Sequence, residues 1–180
     1  TRNIAIGGFA LDANTTGSNN IAIGRDTLTE NTTASSNTVL GNSSGTSVTI
    51  GSNNTITGYN SAISLTTGSS NVAVGHTAGN TLATGSNNVI LGMGANVNSA
   101  SATNRIVLGS NANGQTDNSF TVDPIRSAAI PSNTLYYNTI TKEVTYGPTN
   151  GLGTFLDSVF KLQDNSDITK QASFELNYLS

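Results

Sequence analysis

The chain has 180 residues, of which only 9% are charged, with a net charge of −3 and no cysteine or tryptophan. This composition excludes a disulfide framework, a cysteine-based zinc site and a thiol nucleophile, and it offers no electrostatic footprint for nucleic acid. No apolar run approaches the ~18 residues that would predict membrane insertion. A polar, weakly charged and periodic sequence is instead typical of structures held by backbone ladders and stacked side-chain amides.

A repeat of 17 residues runs through the first two-thirds of the chain. A glycine closes a short apolar stretch in each copy, at Gly7, Gly24, Gly41, Gly58, Gly75, Gly92 and Gly109. An asparagine precedes this glycine by four positions in all copies but the last, at Asn3, Asn20, Asn37, Asn54, Asn71 and Asn88. Arg105 takes that place in the last copy. A fixed period of this length predicts one coil of a solenoid per repeat.

Three columns of residues before the glycine predict one short strand per coil. The outer two columns contain Ile4, Ile21, Thr38, Thr55, Val72, Val89, Ile106 and Ile6, Ile23, Leu40, Thr57, Val74, Leu91, Leu108. The middle column contains Ala5, Ala22, Val39, Ile56, Ala73, Ile90 and Val107. Since strand side chains alternate between faces, the outer columns share one face and the middle column takes the other. Both faces are apolar, so we expect burial on both sides, with the small middle column against a neighbouring backbone.

The polar positions of the repeat predict how the coils stack and turn. Equivalent residues lie about 4.8 Å apart in a stack of strands, so the asparagine side chains can form a hydrogen-bonded ladder. Alternatively, asparagine only marks turns. A second, weaker glycine column, at Gly17, Gly51, Gly68 and Gly85 with Ala34 and Ala102 substituting, predicts a second corner with positive φ. Each coil offers few aliphatic side chains against the entropy of ordering its backbone, so we expect several chains to associate about an axis.

The chain divides into three predicted parts, which are a seven-coil roll over residues 1–115, a transition over 116–147 and a small β module over 148–180. Residues 135–137 and 143–146 are β-prone runs that predict a hairpin. Residues 155–162 and 171–176 alternate with period two around a turn at 164–167, and we expect this module to be incomplete. Thr1 falls inside the repeat register, so we also expect the repeat to begin upstream.

The sequence predicts no catalytic, cofactor-binding or metal-ligating residue, and no enzyme activity. Gly41 to Gly45 matches a nucleophile-elbow pattern around Ser43, but that motif needs a strand-to-helix turn with partner Asp and His residues. The only histidine, His76, belongs to the variable column that follows the repeat glycine, and we expect it to be exposed. The acidic turn at 164–167 lacks the ligand series of an EF-hand loop, so we expect a solvated turn.

The segments SNNIAIG, which ends at Gly24, and SSNVAVG, which ends at Gly75, resemble the head repeats of YadA-like trimeric autotransporter adhesins. Similar repeats occur in bacteriophage tail fibres. The resemblance covers residues 1–115 and implies a left-handed parallel β-roll that packs as an intertwined homotrimer. The segment after the roll lacks the basic neck and heptads of a bacterial adhesin, and it is similar to the hairpin that follows such rolls in viral fibres.

Three functions fit these patterns, and we favour a structural fibre or spike segment of a virus that projects a host-attachment tip from the virion. Its expected partners are copies of itself, other fibre or virion proteins, and a host surface glycan or receptor, without nucleic acid, cofactor or membrane insertion. The alternative is the head of a bacterial surface adhesin. An ice-binding solenoid is disfavoured, because its threonine column is interrupted at Ile50 and Ala83.

Overall fold

The computed structural model describes residues 2–123, together with the backbone of residues 133–137 and 144–148. By its internal contacts the chain separates into two compact units, Thr1–Arg126 and Ser127–Ser180. The predicted module beyond residue 148, with its turn at 164–167, lies outside the described residues. No helix in the described ranges is long and apolar enough to cross a membrane.

The first unit contains ten short strands, and all regular structure in the described residues is β. They are β1 (Ile4–Ile6), β2 (Ile21–Ile23), β3 (Thr38–Leu40), β4 (Thr55–Thr57), β5 (Val72–Val74), β6 (Val89–Leu91), β7 (Asn96–Val97), β8 (Ile106–Leu108), β9 (Asn113–Gly114) and β10 (Phe120–Val122). Eight of them form one sheet in the order β1-β2-β3-β4-β5-β6-β8-β10. The other two, β7 and β9, pair in parallel as a separate small sheet.

The eight-stranded sheet is a stack of parallel strands in which each coil of the chain contributes one strand. Ile4 pairs with Ile21, Ile21 with Thr38, and so on through β8, at a constant interval of 17 residues. The predicted parallel β-solenoid, of about seven turns, is therefore confirmed. The last interval is shorter, because Phe120 pairs with Ile106, 14 residues earlier. The sheet thus continues beyond the repeat into β10.

The middle column of the strands fills the interior of the coil. Ala22, Val39, Ile56 and Ile90 are completely buried within the single chain. They pack against side chains from the return half of each coil, and the buried members of that half include Leu28, Val48, Ala62, Leu65, Ala78 and Leu82. The prediction that the middle column faces a neighbouring chain is wrong, because the coil closes on itself and places this column against its own return half.

The asparagine column forms the predicted ladder. Nδ2 of Asn54 donates to Oδ1 of Asn37 at 3.1 Å, and Nδ2 of Asn88 donates to Oδ1 of Asn71 at 2.9 Å. The same oxygen also accepts the backbone N–H of the next asparagine, as Asn37 does from Asn54 at 2.9 Å. These side chains are almost fully buried, so the bonds satisfy groups that water cannot reach. The ladder interpretation is confirmed over the turn-marker alternative.

The two glycine columns differ in backbone conformation. The first has φ between 129° and 139°, as at Gly7 and Gly75, so its prediction of positive φ is confirmed. The second was predicted wrongly, since Gly51 and Gly68 are not among the residues with positive φ. A Cβ at Gly51 would lie 2.2 Å from the carbonyl oxygen of Gly68, so close stacking of coils keeps this column small, with Ala34 and Ala102 buried at the equivalent positions. Positive φ occurs two residues later instead, at residues such as Asn53 (φ 62°).

In the second unit, the described residues form one antiparallel pair. Strand β11 (Asn133–Tyr137) pairs with β12 (Val144–Pro148), and Leu135 lies opposite Tyr146. This pairing confirms the strands of the predicted hairpin, with each strand extending two residues further than the sequence suggested at one end.

Candidate functional site

The outward face of the eight-stranded sheet is an exposed apolar strip, which we call the strand strip. It consists of the two outer columns, Ile4, Ile21, Thr38, Thr55, Val72, Val89, Ile106, Phe120 and Ile6, Ile23, Leu40, Thr57, Val74, Leu91, Leu108, Val122. Every one of these side chains is exposed or half-buried, whereas the residue between them is buried in β2 to β6 and in β8. Ile6, for example, is 58% exposed, and Leu40 is 41% exposed.

The strand strip carries no charged residue along its whole length. Eight strands at a spacing of about 4.8 Å make it roughly 34 Å long, and two columns of side chains make it about 11 Å wide. The resulting area of roughly 400 Å² equals that of the largest apolar patch on a typical monomer, a patch that often has a function. The sequence predicted the apolar character of both strand faces, but not which of the two remains uncovered.

A second exposed column follows the repeat glycine at the corner of each coil. It contains Arg25, Asn42, Tyr59, His76 and Met93. The rings of Tyr59 and His76 stack with their centroids 5.5 Å apart and their planes 18° apart. His76 is exposed, as predicted. Such a pair stabilises the surface of neighbouring coils, since stacked aromatic rings attract beyond their buried area.

Ser43 lies at a coil corner with a φ of 53°. It sits between the strand β3 and the return half of the coil, in a turn rather than before a helix. His76 lies two coils further along, in the column next to that of Ser43. The strand-to-helix turn that a nucleophile elbow requires is therefore missing at this serine.

The last 17-residue coil ends in a buried arginine. Arg105 is only 4% exposed, and its backbone N–H donates to Oδ1 of Asn88, so it closes the asparagine ladder. Its guanidinium donates from Nη1 to Oδ1 of Asn98 and to the carbonyl of Gly114, both at 2.6 Å. Oδ1 of Asp117 accepts a hydrogen bond from Nε at 2.8 Å and forms a salt bridge with Nη2 at 2.7 Å. All these partners follow from the buried position, because a buried cation needs a counter-charge and hydrogen-bond acceptors.

Asp117 is held ionised by these contacts. The backbone N–H of Thr103 and the guanidinium of Arg105 both donate to its carboxylate, and they hold its pKa below the ordinary value for an aspartate. Sequence reasoning identified Arg105 only as the exception in the asparagine column. Its partner Asp117 is 12 residues away and belongs to the shortened final coil, where the period no longer predicts contacts.

Within residues 2–123, no group of three or more His, Asp or Glu side chains is arranged to hold a metal ion. The acidic turn at 164–167 lies outside the residues that the structure describes.

These features define the first unit as a parallel β-solenoid with one uncovered apolar face. Comparisons of the chain with protein-family models, with curated proteins and with solved structures find no match.

Proposed function

We propose that this chain is a structural fibre segment that assembles with copies of itself through the strand strip, as a homotrimer in the fibre or spike of a virus. The observation that carries the proposal is the exposed, uncharged and apolar strip that extends along all eight strands. Burial of such a surface is the main favourable term in protein association. A second copy of the chain is the partner whose side chains have the same axial period.

The size of the strip favours closure around an axis over a simple pair. Its roughly 400 Å² is about half of the ~800 Å² that a standard interface covers on each partner. Two chains face to face leave the edges of both strips in water, whereas three strips that converge on one axis cover one another from two sides. The exposed corner column that follows the repeat glycine then adds to the interface.

The viral role rests on the sequence. The repeats resemble those of phage tail fibres, and the segment that follows the roll resembles the hairpin of viral fibres more than the neck of a bacterial adhesin. In this role the solenoid is a shaft that extends an attachment tip from the virion toward a host glycan or receptor. The stack of about seven coils of equal length suits such a spacer, because its length grows by one coil per repeat.

Sedimentation equilibrium tests the assembly. The wild-type chain should sediment as a trimer, and Ile23→Asp combined with Leu91→Asp should abolish the trimer by placing charges in the strip. Ser64→Asp is the matched control, because Ser64 is exposed on the return half of the coil. A wild-type chain that is folded and monomeric would refute the proposal.

The alternative function, the head of a bacterial adhesin, requires the same assembly. The coding sequence that flanks the chain separates the two. A self-cleaving chaperone domain downstream supports a viral fibre, whereas an outer-membrane anchor domain supports an adhesin.

A further inference from the structure

Polar side chains interrupt the strand strip in two adjacent coils only, those of β3 and β4. Thr38 in β3 and Thr55 and Thr57 in β4 are the only strip residues that are neither aliphatic nor aromatic. Thr38 and Thr55 are register partners in adjacent strands, and Thr57 follows on the same face of β4. The three hydroxyls therefore form one band across the strip, which we call the threonine belt.

The hydroxyls of the belt have no hydrogen-bond partner within residues 2–123. Among the described residues, none of the three donates a hydrogen bond, whereas the hydroxyls of Thr49 and Thr66 each donate to a carbonyl of the next coil. The belt residues project away from the coil, where water satisfies them as long as the face is open. If the strip is covered by another chain, these hydroxyls lose that water and need partners within the interface.

Aliphatic side chains alone do not fix the axial register between two strips that are built from coils of equal length. Two such strips can pack in register, or displaced by one coil of about 4.8 Å, with nearly the same apolar contact. Apolar burial is non-directional, so the displaced packing loses little beyond the contacts of the terminal coil. A repeat fibre that assembles reproducibly therefore needs a feature that differs from coil to coil.

We propose that the threonine belt sets the axial register in which copies of this chain assemble, an inference that rests on the self-assembly proposed above. In register, the belts of all chains lie at one level and their hydroxyls bond to one another or to shared water. Displaced by one coil, Thr38 of one chain lies at the level of Ile21 or Thr55 of the next, and at least one hydroxyl is buried against an aliphatic side chain. A lone polar residue fixes register in the seam of coiled coils by the same penalty.

The triple variant T38V/T55V/T57V tests the belt with little change of side-chain shape. Oligomers that mix methyl-labelled with unlabelled chains report, by isotope-filtered NMR, which residues meet across the interface. The wild type should give one set of methyl signals, with Leu40 of one chain near Leu40 of another. The triple variant should keep its oligomeric mass but show additional signals for strip residues, while those of the interior Ile56 and Ile90 stay single. The control T16V/T33V/T67V, which removes hydroxyls from an exposed column off the strip, should behave as the wild type.

A second variant moves the belt instead of deleting it, and it remains informative if the triple variant aggregates. T38V/T55V/T57V combined with V89T/L91T places two threonines in β6. After refolding a mixture with mass-tagged wild type, native mass spectrometry should show mixed oligomers at least about twofold below the statistical proportion, because matched belts are preferred. The control variant should mix statistically.

The outcomes separate this inference from the assembly itself. Statistical mixing of the relocated belt, or a triple variant with one set of signals and unchanged contacts between chains, would overturn the belt and leave the self-assembly in place. A monomeric wild type would overturn both.

Discussion

Asn54 donates from Nδ2 to Oδ1 of Asn37 at 3.1 Å and to the carbonyl of Gly68 at 3.0 Å. The first bond links Asn54 to the preceding coil, and the second connects it to a residue 14 positions later in the chain. Its own Oδ1 accepts both the backbone N–H and the Nδ2 of Asn71, at 2.9 and 3.1 Å. The side chain thus satisfies donors and acceptors in a region without access to water. Asn37 and Asn71 make the same set of bonds, so the ladder links neighbouring coils through their side-chain amides.

Asn54→Leu should lower the free energy of unfolding by about 3 kcal/mol or more, because it leaves two donors of Asn71 and the carbonyl of Gly68 without partners, each costing about 1–3 kcal/mol. Urea denaturation at one fixed protein concentration measures the loss. The control is Asn42→Leu, since Asn42 is exposed and accepts a single bond from the backbone of Arg25. Equal losses in the two variants would contradict the structural role of the ladder.

Gly58→Ala should destabilise the chain by about 3 kcal/mol or more, because it combines backbone strain with a steric clash. The φ of Gly58 is 137°, and an added Cβ would lie 2.3 Å from the carbonyl oxygen of Gly75. Gly8→Ala is the control, since the nearest atom to its added Cβ is Cγ of Arg25 at 3.9 Å. Thermal unfolding followed by circular dichroism compares the two, and a similar melting temperature would be inconsistent with the packing of the first glycine column.

Ala22→Leu should lower the stability of the chain by about 1–3 kcal/mol through overpacking of the interior. Ala22 is fully buried inside its own coil, so the effect should appear as earlier unfolding rather than as a selective loss of assembly. Ser64→Leu, at an exposed position of the return half, is the control. Unchanged urea stability together with a loss of oligomers would instead place Ala22 at an interface between chains.

Acid should loosen the final coil through Asp117. Since the pKa of Asp117 in the folded chain lies below its ordinary value, its contribution is fully present above that ordinary value, about 3.9, and is lost as pH falls through the depressed folded pKa. Arg105 stays charged, so protonation leaves a buried cation without its counter-charge. Amide hydrogen exchange near Arg105, corrected for the intrinsic pH dependence, should accelerate in the wild type as the pH falls below about 3.9.

Asp117→Asn should remove this acid response and show faster exchange than the wild type already at neutral pH. Asp12→Asn is the control, because Asp12 is exposed and forms no ion pair within residues 2–123. If the amides of the wild-type final coil exchange at the same corrected rate above and below about pH 3.9, the ion pair does not stabilise the coil.

The sequence alone determined the repeat and much of the coil. A period of 17 residues with asparagine and glycine at fixed places leaves only a stack of equal coils, because identical residues one period apart can then bond to each other. The ladder through Asn54 and the strand at Thr55–Thr57 follow from that stacking. The hairpin strands followed from β-prone runs around a polar turn.

Only the tertiary structure decided which strand face is covered. Period-two alternation assigns Ala22 and Ile23 to opposite faces, but both faces are apolar, so hydrophobicity could not show which one the return half of the coil encloses. The same holds for Gly51, where the nearness of the next coil, and not a positive φ, requires a small residue. The pairing of Arg105 with Asp117 also depended on closure of a coil of irregular length, which no period encodes.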